Sequence, residues 1–206
     1  MNRDLIVKVC GMRDADNIRQ VEPLVDWMGF IFAPRSPRFV ADMPSYLPSK
    51  AKRVGVFVND TEESIMKYIK EYCLDFIQLH GAESPEFCTR LKADGLHLVK
   101  AFPISSAEDL KTTFLYENAC DYFLFDTKCP TDGGSGKLFD WSVLDTYKGS
   151  VPFFLSGGLG EETAENLRGF SHPRWCGIDL NSRFEIAPGR KDAGRIDNFL
   201  QSVFNK

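Results

Sequence analysis

Short apolar runs recur along the 206-residue chain, spaced roughly 20 to 30 residues apart, as expected when each strand is followed by one helix. This spacing constrains the fold more than any other feature. Most of the runs are nearly continuous rather than strictly alternating, which is typical of parallel strands covered on both faces. In chain order the runs are 5–10, 27–32, 52–58, 76–81, 97–102, 122–127, 152–158 and 176–181.

Segments with helical patterns lie between these runs. Asp14, Thr61 and Ser84 each stand just before such a segment, where a side-chain oxygen can accept a hydrogen bond from a free N–H of the first turn. The segment 39–51 differs because it carries two prolines, and it predicts a short or irregular helix. Residues 192–204 predict the last helix.

Eight strand–helix units predict an α/β fold, a single (βα)8 TIM barrel that forms one catalytic domain over residues 1–206. A doubly wound open sheet is the alternative. The barrel is favoured because polar, glycine-rich or reactive residues follow most of the strands at their carboxyl ends. In a barrel these ends meet on one face, where such enzymes react, whereas an open sheet would string them along a line.

Composition points to small-molecule chemistry. The 25 basic and 29 acidic residues give a formal charge of −4, and they form no long run of one sign that would indicate a nucleic-acid or membrane partner. The N-terminal segment lacks the features of a secretory signal, so a cytoplasmic protein is expected. The 6 cysteines show no zinc-ligand spacing, which disfavours a metal site or a disulfide framework.

The segment after the seventh strand predicts a phosphate site. Gly157 and Gly158 separate this strand from a helix, so their backbone N–H groups and the helix dipole can face an anion. Asn181 and Ser182 follow the eighth strand, and barrels often bind phosphate with the loops after strands seven and eight. The alternative is that the two glycines only form a tight turn.

The segment after the sixth strand, DTKCPTDGGSGKLFDW, is long and rich in glycine, and it resembles a lid or a ligand clamp. Its GGSGK run is not a nucleotide-binding P-loop, because the required glycine spacing and the final serine or threonine are missing. ATP chemistry is therefore disfavoured.

Cys10 and Asp126 end the first and sixth strands, at the same mouth of the predicted barrel. A thiol and a carboxyl group around one substrate suit proton transfer, provided that nearby cations such as Lys8 or Arg38 help the thiol to ionise. Position alone favours a buried thiol for Cys10, and Asp126 can be a carboxylate that caps a loop. His80 is either packed in the core or faces a ligand. Arg38 is either a solvated surface charge or binds a carboxylate through two of its N–H groups.

The motifs of the chain occur together in one known family. The chain resembles phosphoribosylanthranilate isomerases along almost its whole length, and the shared segments occur in the same order and at matching spacing. The segments that carry the resemblance are VKVCGM, GFIFAPRSPRFV, VGVFVN, IQLHG, KAF, FDTK, GGSGKLFDW, FLSGGL, GIDLNS and PGRKD.

The resemblance implies an Amadori rearrangement of N-(5-phosphoribosyl)anthranilate in tryptophan biosynthesis. It assigns Cys10 as the general base and Asp126 as the general acid, Arg38 as the partner of the anthranilate carboxylate, and His80 and Asp179 as substrate contacts. Gly157, Gly158, Asn181 and Ser182 fall in the phosphate-binding loops. No metal or organic cofactor is implied, and the protein is expected to be a monomer or a homodimer.

The loop after the eighth strand departs from the family pattern. It reads NSRFE where SSGVE is frequent, so Asn181 replaces a serine and Arg183 a glycine. Two rival functions remain: a different isomerase or lyase on a phosphosugar-binding barrel, and a sensor that binds a phosphate ligand without converting it. The related histidine-pathway isomerase uses paired aspartates on strands one and five, but here these strands end in Cys10 and Phe102.

Overall fold

Eight parallel strands form a closed barrel in the computed structural model, which describes residues 5–127 and 140–204. The predicted barrel is confirmed, and the open sheet is excluded because the first strand pairs with the eighth. Each strand lies within two residues of its predicted run. The strands are β1 Ile6–Cys10, β2 Trp27–Ile31, β3 Lys52–Phe57, β4 Phe76–Leu79, β5 Leu98–Ile104, β6 Tyr122–Thr127, β7 Phe153–Ser156 and β8 Trp175–Leu180.

Helices of unequal length follow the strands on the outside. The α-helices are α1 Ala15–Val21, α2 Glu62–Tyr72, α3 Pro85–Ala93, α4 Ala107–Lys111, α5 Ala164–Gly169 and α6 Ala193–Phe204. Short 3₁₀ helices span Glu22–Leu24, Thr112–Tyr116, Trp141–Thr146, Glu161–Thr163 and Ser182–Phe184.

Local capping explains where the longer helices begin. The side chains of Asp14, Thr61 and Ser84 accept hydrogen bonds from the backbone N–H groups of Asn17, Ser64 and Phe87 at the starts of α1, α2 and α3, as predicted. The helix expected after β6 is only the 3₁₀ helix Trp141–Thr146 within the described residues. Each cap fixes the direction in which the chain leaves the barrel mouth.

The segment between β2 and β3 contains no helix, so the short or irregular helix predicted at 39–51 is absent; its two prolines explain why. A carboxylate holds it instead. Glu22 accepts hydrogen bonds from the Tyr46 hydroxyl and from the backbone N–H groups of Ser49 and Lys50, each at 2.6 Å. Burial alone would raise the pKa of Glu22, but these hydrogen bonds outweigh it and lower the pKa.

The barrel interior is filled in layers. At the amino-terminal end, Trp27 stacks on Phe76 with ring centroids 4.1 Å apart and also contacts Tyr122 and Phe154. These rings belong to an apolar cluster that is separate from the larger core between the strands and the helices. Since aromatic rings fill this end of the interior, the space for a ligand lies at the carboxyl-terminal end.

Alternation along β1 decides which side chains reach that space. Val7 and Val9 join the outer core, while Cys10 packs inside the mouth with Ile31 and Val56. Two short antiparallel strands, β9 Glu185–Ala187 and β10 Arg190–Lys191, form a hairpin after β8. No helix among residues 5–127 and 140–204 is long and apolar enough to cross a membrane.

The closure between β1 and β8 gives a stability prediction. A Cβ atom added at Gly177 would overlap the carbonyl oxygen of Ile6 and the ring of Phe154. We expect Gly177→Ala to lower the free energy of unfolding by about 1–3 kcal/mol, because an overpacked core must shift its backbone. Urea denaturation followed by circular dichroism measures this change.

Gly169→Ala is the matched control. Gly169 ends α5, and a Cβ atom there would have no neighbour within 4 Å. We expect this variant to be as stable as the parent or up to about 1 kcal/mol more stable, because alanine reduces the freedom of the unfolded chain. Equal denaturation midpoints for the two variants would contradict the proposed overlap at the closure.

Candidate active site

A cavity of about 420 Å³ opens at the carboxyl-terminal ends of the strands. It brings together most of the residues that the sequence singled out, although they lie far apart along the chain. The predicted residues that line it are Cys10, His80, Asp126, Gly157, Gly158, Asp179, Asn181 and Ser182, whereas Arg38 lies outside the lining.

Cys10 ends β1 in a tight, buried position. Only 4% of the residue is exposed, and its sulfur lies 2.8 Å from where a Cβ atom of Gly29 on the neighbouring strand would be. Burial raises the pKa of the thiol, while Lys8 opposes this shift. The sequence-based expectation of a lowered thiol pKa is therefore not met, because the loss of solvent outweighs the nearby cation.

Lys8 and Asp179 form a buried ion pair below the thiol. The register between β1 and β8 sets these two residues side by side, and Lys8 Nζ donates to Asp179 Oδ1 at 2.9 Å. Burial lowers the pKa of Lys8, but Asp179 and Cys10 raise it more strongly, so the ammonium keeps its proton. Asp179 lines the cavity as predicted, yet one of its oxygens is already occupied by a cation.

His80 and Asp126 form a second polar pair across the cavity mouth. His80 Nε2 lies 3.3 Å from Asp126 Oδ2, and both side chains are about one-third exposed. Gln78 Nε2 lies 2.9 Å from His80 Nδ1. When Gln78 donates this hydrogen bond, the histidine proton lies on Nε2 and faces the carboxylate.

Sequence reasoning missed Gln78. It lines the cavity and is almost completely buried, and its Oε1 atom accepts no hydrogen bond within the described part of the chain. The signal for it was present, because a residue two positions before His80 on the same strand points to the same side. An acceptor of this kind can receive a hydroxyl group of a ligand.

Arg38 is held by a carboxylate beside the cavity. Its Nε and Nη2 atoms donate to the two oxygens of Glu185 at 2.8 and 2.7 Å. Burial raises the pKa of Glu185, but hydrogen bonds from Arg38 and Lys191 outweigh it and bring the pKa to about 2. Sequence reasoning missed Glu185 and Lys191, because their partners are known only once the chain has folded.

The turn after β7 has the conformation that the glycine pair requires. Gly157 and Gly158 have φ angles of 82° and 70°, in the left-handed region that favours glycine. A Cβ atom at Gly158 would meet no atom within 4 Å. The glycines thus form a turn, and the backbone of Gly158 is accessible from the cavity.

The loop after β8 lies beside this turn, because β7 and β8 are neighbouring strands. Asn181 and Ser182 line the cavity together with Arg183, whose side chain is 60% exposed and lies 3.8 Å from Glu162. The arginine that departs from the family pattern thus adds a cation to the cavity rim. Asn181 does not point freely into the cavity, since its side-chain oxygen accepts a hydrogen bond from Lys191 at 2.7 Å.

Two further expectations concern ligands and the lid. Most of the segment predicted as a lid, residues 128–139, lies outside the described residues, so its role stays a prediction. Within the described ranges, no group of three or more histidine, cysteine or acidic side chains is arranged to hold a metal ion.

Comparison with known proteins identifies the family. Residues 7–202 match the model of N-(5'-phosphoribosyl)anthranilate isomerases. The isomerase of Parabacteroides distasonis is 53% identical, covering 98% of this chain and 94% of that protein. The isomerase of Phocaeicola vulgatus is 50% identical, covering 98% of this chain and 99% of that protein.

Solved structures agree with the sequence matches. The phosphoribosylanthranilate isomerase of Thermotoga maritima superposes with a TM-score of 0.81 at 33% identity, covering 97% of this chain and 98% of that one. A phosphoribosylanthranilate isomerase in complex with reduced 1-(o-carboxyphenylamino)-1-deoxyribulose 5-phosphate superposes with a TM-score of 0.80 at 29% identity, with the same coverage of both chains. The chain therefore belongs to the N-(5'-phosphoribosyl)anthranilate isomerase family.

Proposed function

We propose that this chain, as a single catalytic domain, converts N-(5-phosphoribosyl)anthranilate to 1-(2-carboxyphenylamino)-1-deoxyribulose 5-phosphate in tryptophan biosynthesis. One observation carries the catalytic assignment: Cys10 and Asp126 lie on non-adjacent strands and line the same cavity. A substrate between them can therefore meet an acid and a base at different atoms. The substrate is a small molecule, and the assembly is proposed to be a monomer or a homodimer.

The first step is opening of the ribose ring. Asp126, in its protonated form, gives a proton to the ring oxygen while the bond from that oxygen to C1 breaks. The lone pair of the anthranilate nitrogen forms a C=N bond with C1, which leaves an iminium ion. His80 Nε2 lies 3.3 Å from Asp126 Oδ2, so with its proton on Nε2 it can stabilise the negative charge that remains on the acid.

The second step is proton removal at C2. The Cys10 thiolate takes the C2 proton, the electrons of the C–H bond form a C1=C2 bond, and the C=N electrons return to nitrogen. The enolamine becomes the ketone when the thiol returns a proton to C1 and the C2 hydroxyl loses its own. That hydroxyl proton goes to Asp126 by way of water, so both groups regain their starting states.

The surroundings of Cys10 suit this second step. Burial raises the pKa of the thiol, with Lys8 as the opposing cation. The reacting form has Cys10 as the thiolate, and a thiolate whose pKa is raised is a stronger base. The iminium ion then places a positive charge next to C2, which acidifies the C2 proton and stabilises the thiolate beside it.

The substrate has an anionic group at each end, and residues in and beside the cavity offer a cationic or N–H-rich contact to both. We propose that the Gly157–Gly158 turn and the loop with Asn181 and Ser182 bind the phosphate, assisted by Arg183 at the rim. Arg38 binds the anthranilate carboxylate. Its Nη1 atom is not used in the bidentate contact with Glu185, so it can donate to the substrate.

Replacement of the acid or the base tests the assignment. We expect Cys10→Ala and Asp126→Asn each to lower kcat by about 10²–10⁴-fold, the usual contribution of a positioned acid or base. Turnover is measured as the loss of phosphoribosylanthranilate fluorescence. Cys176→Ala is the matched control because Cys176 lies with the apolar residues of the barrel interior, away from the cavity lining.

The control variant should turn over substrate near the parent rate. Near-normal turnover by Cys10→Ala would remove the base assignment, and near-normal turnover by Asp126→Asn would remove the acid assignment. No consumption of substrate by the unmutated protein would overturn the proposed function itself. Tight binding of substrate without conversion would then indicate a phosphate-ligand sensor.

The raised pKa of Cys10 predicts an unusual pH profile. Burial raises the pKa of the Cys10 thiol, and the proposed mechanism works with one proton between this thiol and Asp126. The reacting form has this proton on Asp126. We expect kcat/KM to stay level at neutral pH and to fall above the thiol pKa, where the pair loses the shared proton.

In Asp126→Asn, we expect kcat/KM to rise with pH in the alkaline range instead of falling. With no acid left to lose a proton, the residual rate should rise as the thiol ionises, with its midpoint above the value of about 8.5 for an ordinary thiol. Both profiles are recorded above about pH 7, because the substrate phosphate itself titrates near pH 6. A residual rate that still falls at alkaline pH would contradict the roles of both groups.

A further inference from the structure

A buried lysine beside the cavity takes no part in the mechanism described above. Lys191 lies on β10, and its side chain is 0% exposed. Asn17 of α1 fixes its backbone from both sides, because the Asn17 side chain accepts from the Lys191 N–H at 2.7 Å and donates to the Lys191 carbonyl at 2.8 Å. A lysine buried to this degree is rare, since an isolated ammonium loses its hydration.

The ammonium of Lys191 joins two residues of the segment that follows β8. Its Nζ atom donates to Asn181 Oδ1 and to Glu185 Oε1, each at 2.7 Å. Asn181 belongs to the loop proposed to bind phosphate. Glu185 holds Arg38, the proposed partner of the anthranilate carboxylate, through two further hydrogen bonds.

The cluster of Lys191, Glu185 and Arg38 carries one more positive than negative charge. Glu185 is 6% exposed at its side chain, and the Gly189 N–H also donates to it at 3.0 Å. Two cations therefore compete for one carboxylate, and a part of the positive charge remains for an anion in the cavity. Breaking such a buried cluster at one member leaves an uncompensated charge behind.

We propose that Lys191 is a positioning residue that couples the phosphate end of the site to its carboxylate end. This inference rests on the proposed function. By holding Asn181 and Glu185 with one atom, Lys191 sets where Arg38 and the loop after β8 stand relative to each other. The separation of the two anion sites then fixes the position of C1 and C2 between Cys10 and Asp126.

Lys191→Met tests the coupling, because methionine keeps much of the aliphatic stem and removes the ammonium. The affinities of inorganic phosphate and benzoate, as probes of the two ends, are measured by calorimetry. We expect both probes to bind more weakly and kcat/KM to fall by about 10²-fold, mainly through KM, as expected when a substrate is misplaced by about 1 Å. A lysine that served stability alone would lower the denaturation midpoint and leave both affinities unchanged.

Two single variants serve as controls. Asn181→Ala should weaken the binding of phosphate alone, because this change removes the contact between Lys191 and the phosphate loop and leaves Glu185 in place to hold Arg38. Lys92→Met removes a positive charge at the amino-terminal end of the strands, where Lys92 contacts Asp121 at 2.7 Å, and it should leave both probes and the kinetics unchanged. Weakening of one probe only by Lys191→Met would overturn the coupling.

The double variant Lys191→Met/Glu185→Gln separates position from charge. It removes one positive and one negative charge, so the net charge of the cluster is unchanged. No buried carboxylate then remains that has lost one of its two cationic partners. It therefore also serves if the single variant fails to fold. Continued weak binding of both probes supports the positioning role, and recovery to parent affinities overturns it.

Probe binding does not depend on turnover, so this test stands apart from the test of function. If the unmutated protein bound both probes but consumed no phosphoribosylanthranilate, the proposed function would fail. If the unmutated protein turned over its substrate and Lys191→Met bound both probes as tightly as the parent, the positioning role alone would fail.

Discussion

The pairing of the first strand with the last is the interaction on which the rest of the structure depends. It turns an open series of strands into a ring, and it places Lys8 beside Asp179 directly beneath Cys10. Without this closure Lys8 would lose its carboxylate partner Asp179, and the cation next to the thiol would be left unpaired. The same contact thus completes the hydrophobic barrel and establishes the electrostatic environment of the proposed base.

The buried charges described above do not all cancel, because one carboxylate is shared by two cations. Lys8 is matched to Asp179, while Glu185 is shared between Arg38 and Lys191. Low solvent exposure strengthens every one of these interactions, and it also makes an ionised thiol costly. The site therefore combines a cationic environment for an anionic substrate with a proposed base whose ionised form is disfavoured by burial.

Much of the fold could be read from the sequence because it depends on local patterns. The continuous apolar runs fix the strands, the caps at Asp14, Thr61 and Ser84 fix three helices, and the glycine pair at 157–158 fixes a left-handed turn. The short lengths of α4 and α5 could not be predicted from the sequence, because α-helical and 3₁₀ turns share the same apolar spacing over so few residues.

The site was only partly predictable for a different reason. Strand ends identify which residues meet at the mouth, but they do not show which of these residues bond to one another. Lys191 and Asn17 are 174 positions apart, and Arg38 and Glu185 are 147 apart. The direction of the Cys10 pKa shift was likewise hidden, because it depends on how completely the folded walls exclude water.

The late place of Lys191 in the chain has a consequence for biosynthesis on the ribosome. Synthesis proceeds from the amino terminus, so Cys10, Arg38, His80 and Asp126 all emerge before the β9–β10 hairpin that balances their surroundings. A nascent barrel of seven or eight strands would hold Arg38 without its carboxylate and Asn17 without the backbone it clamps. Competence to bind substrate therefore arises only after the β9–β10 hairpin has been synthesised and has docked.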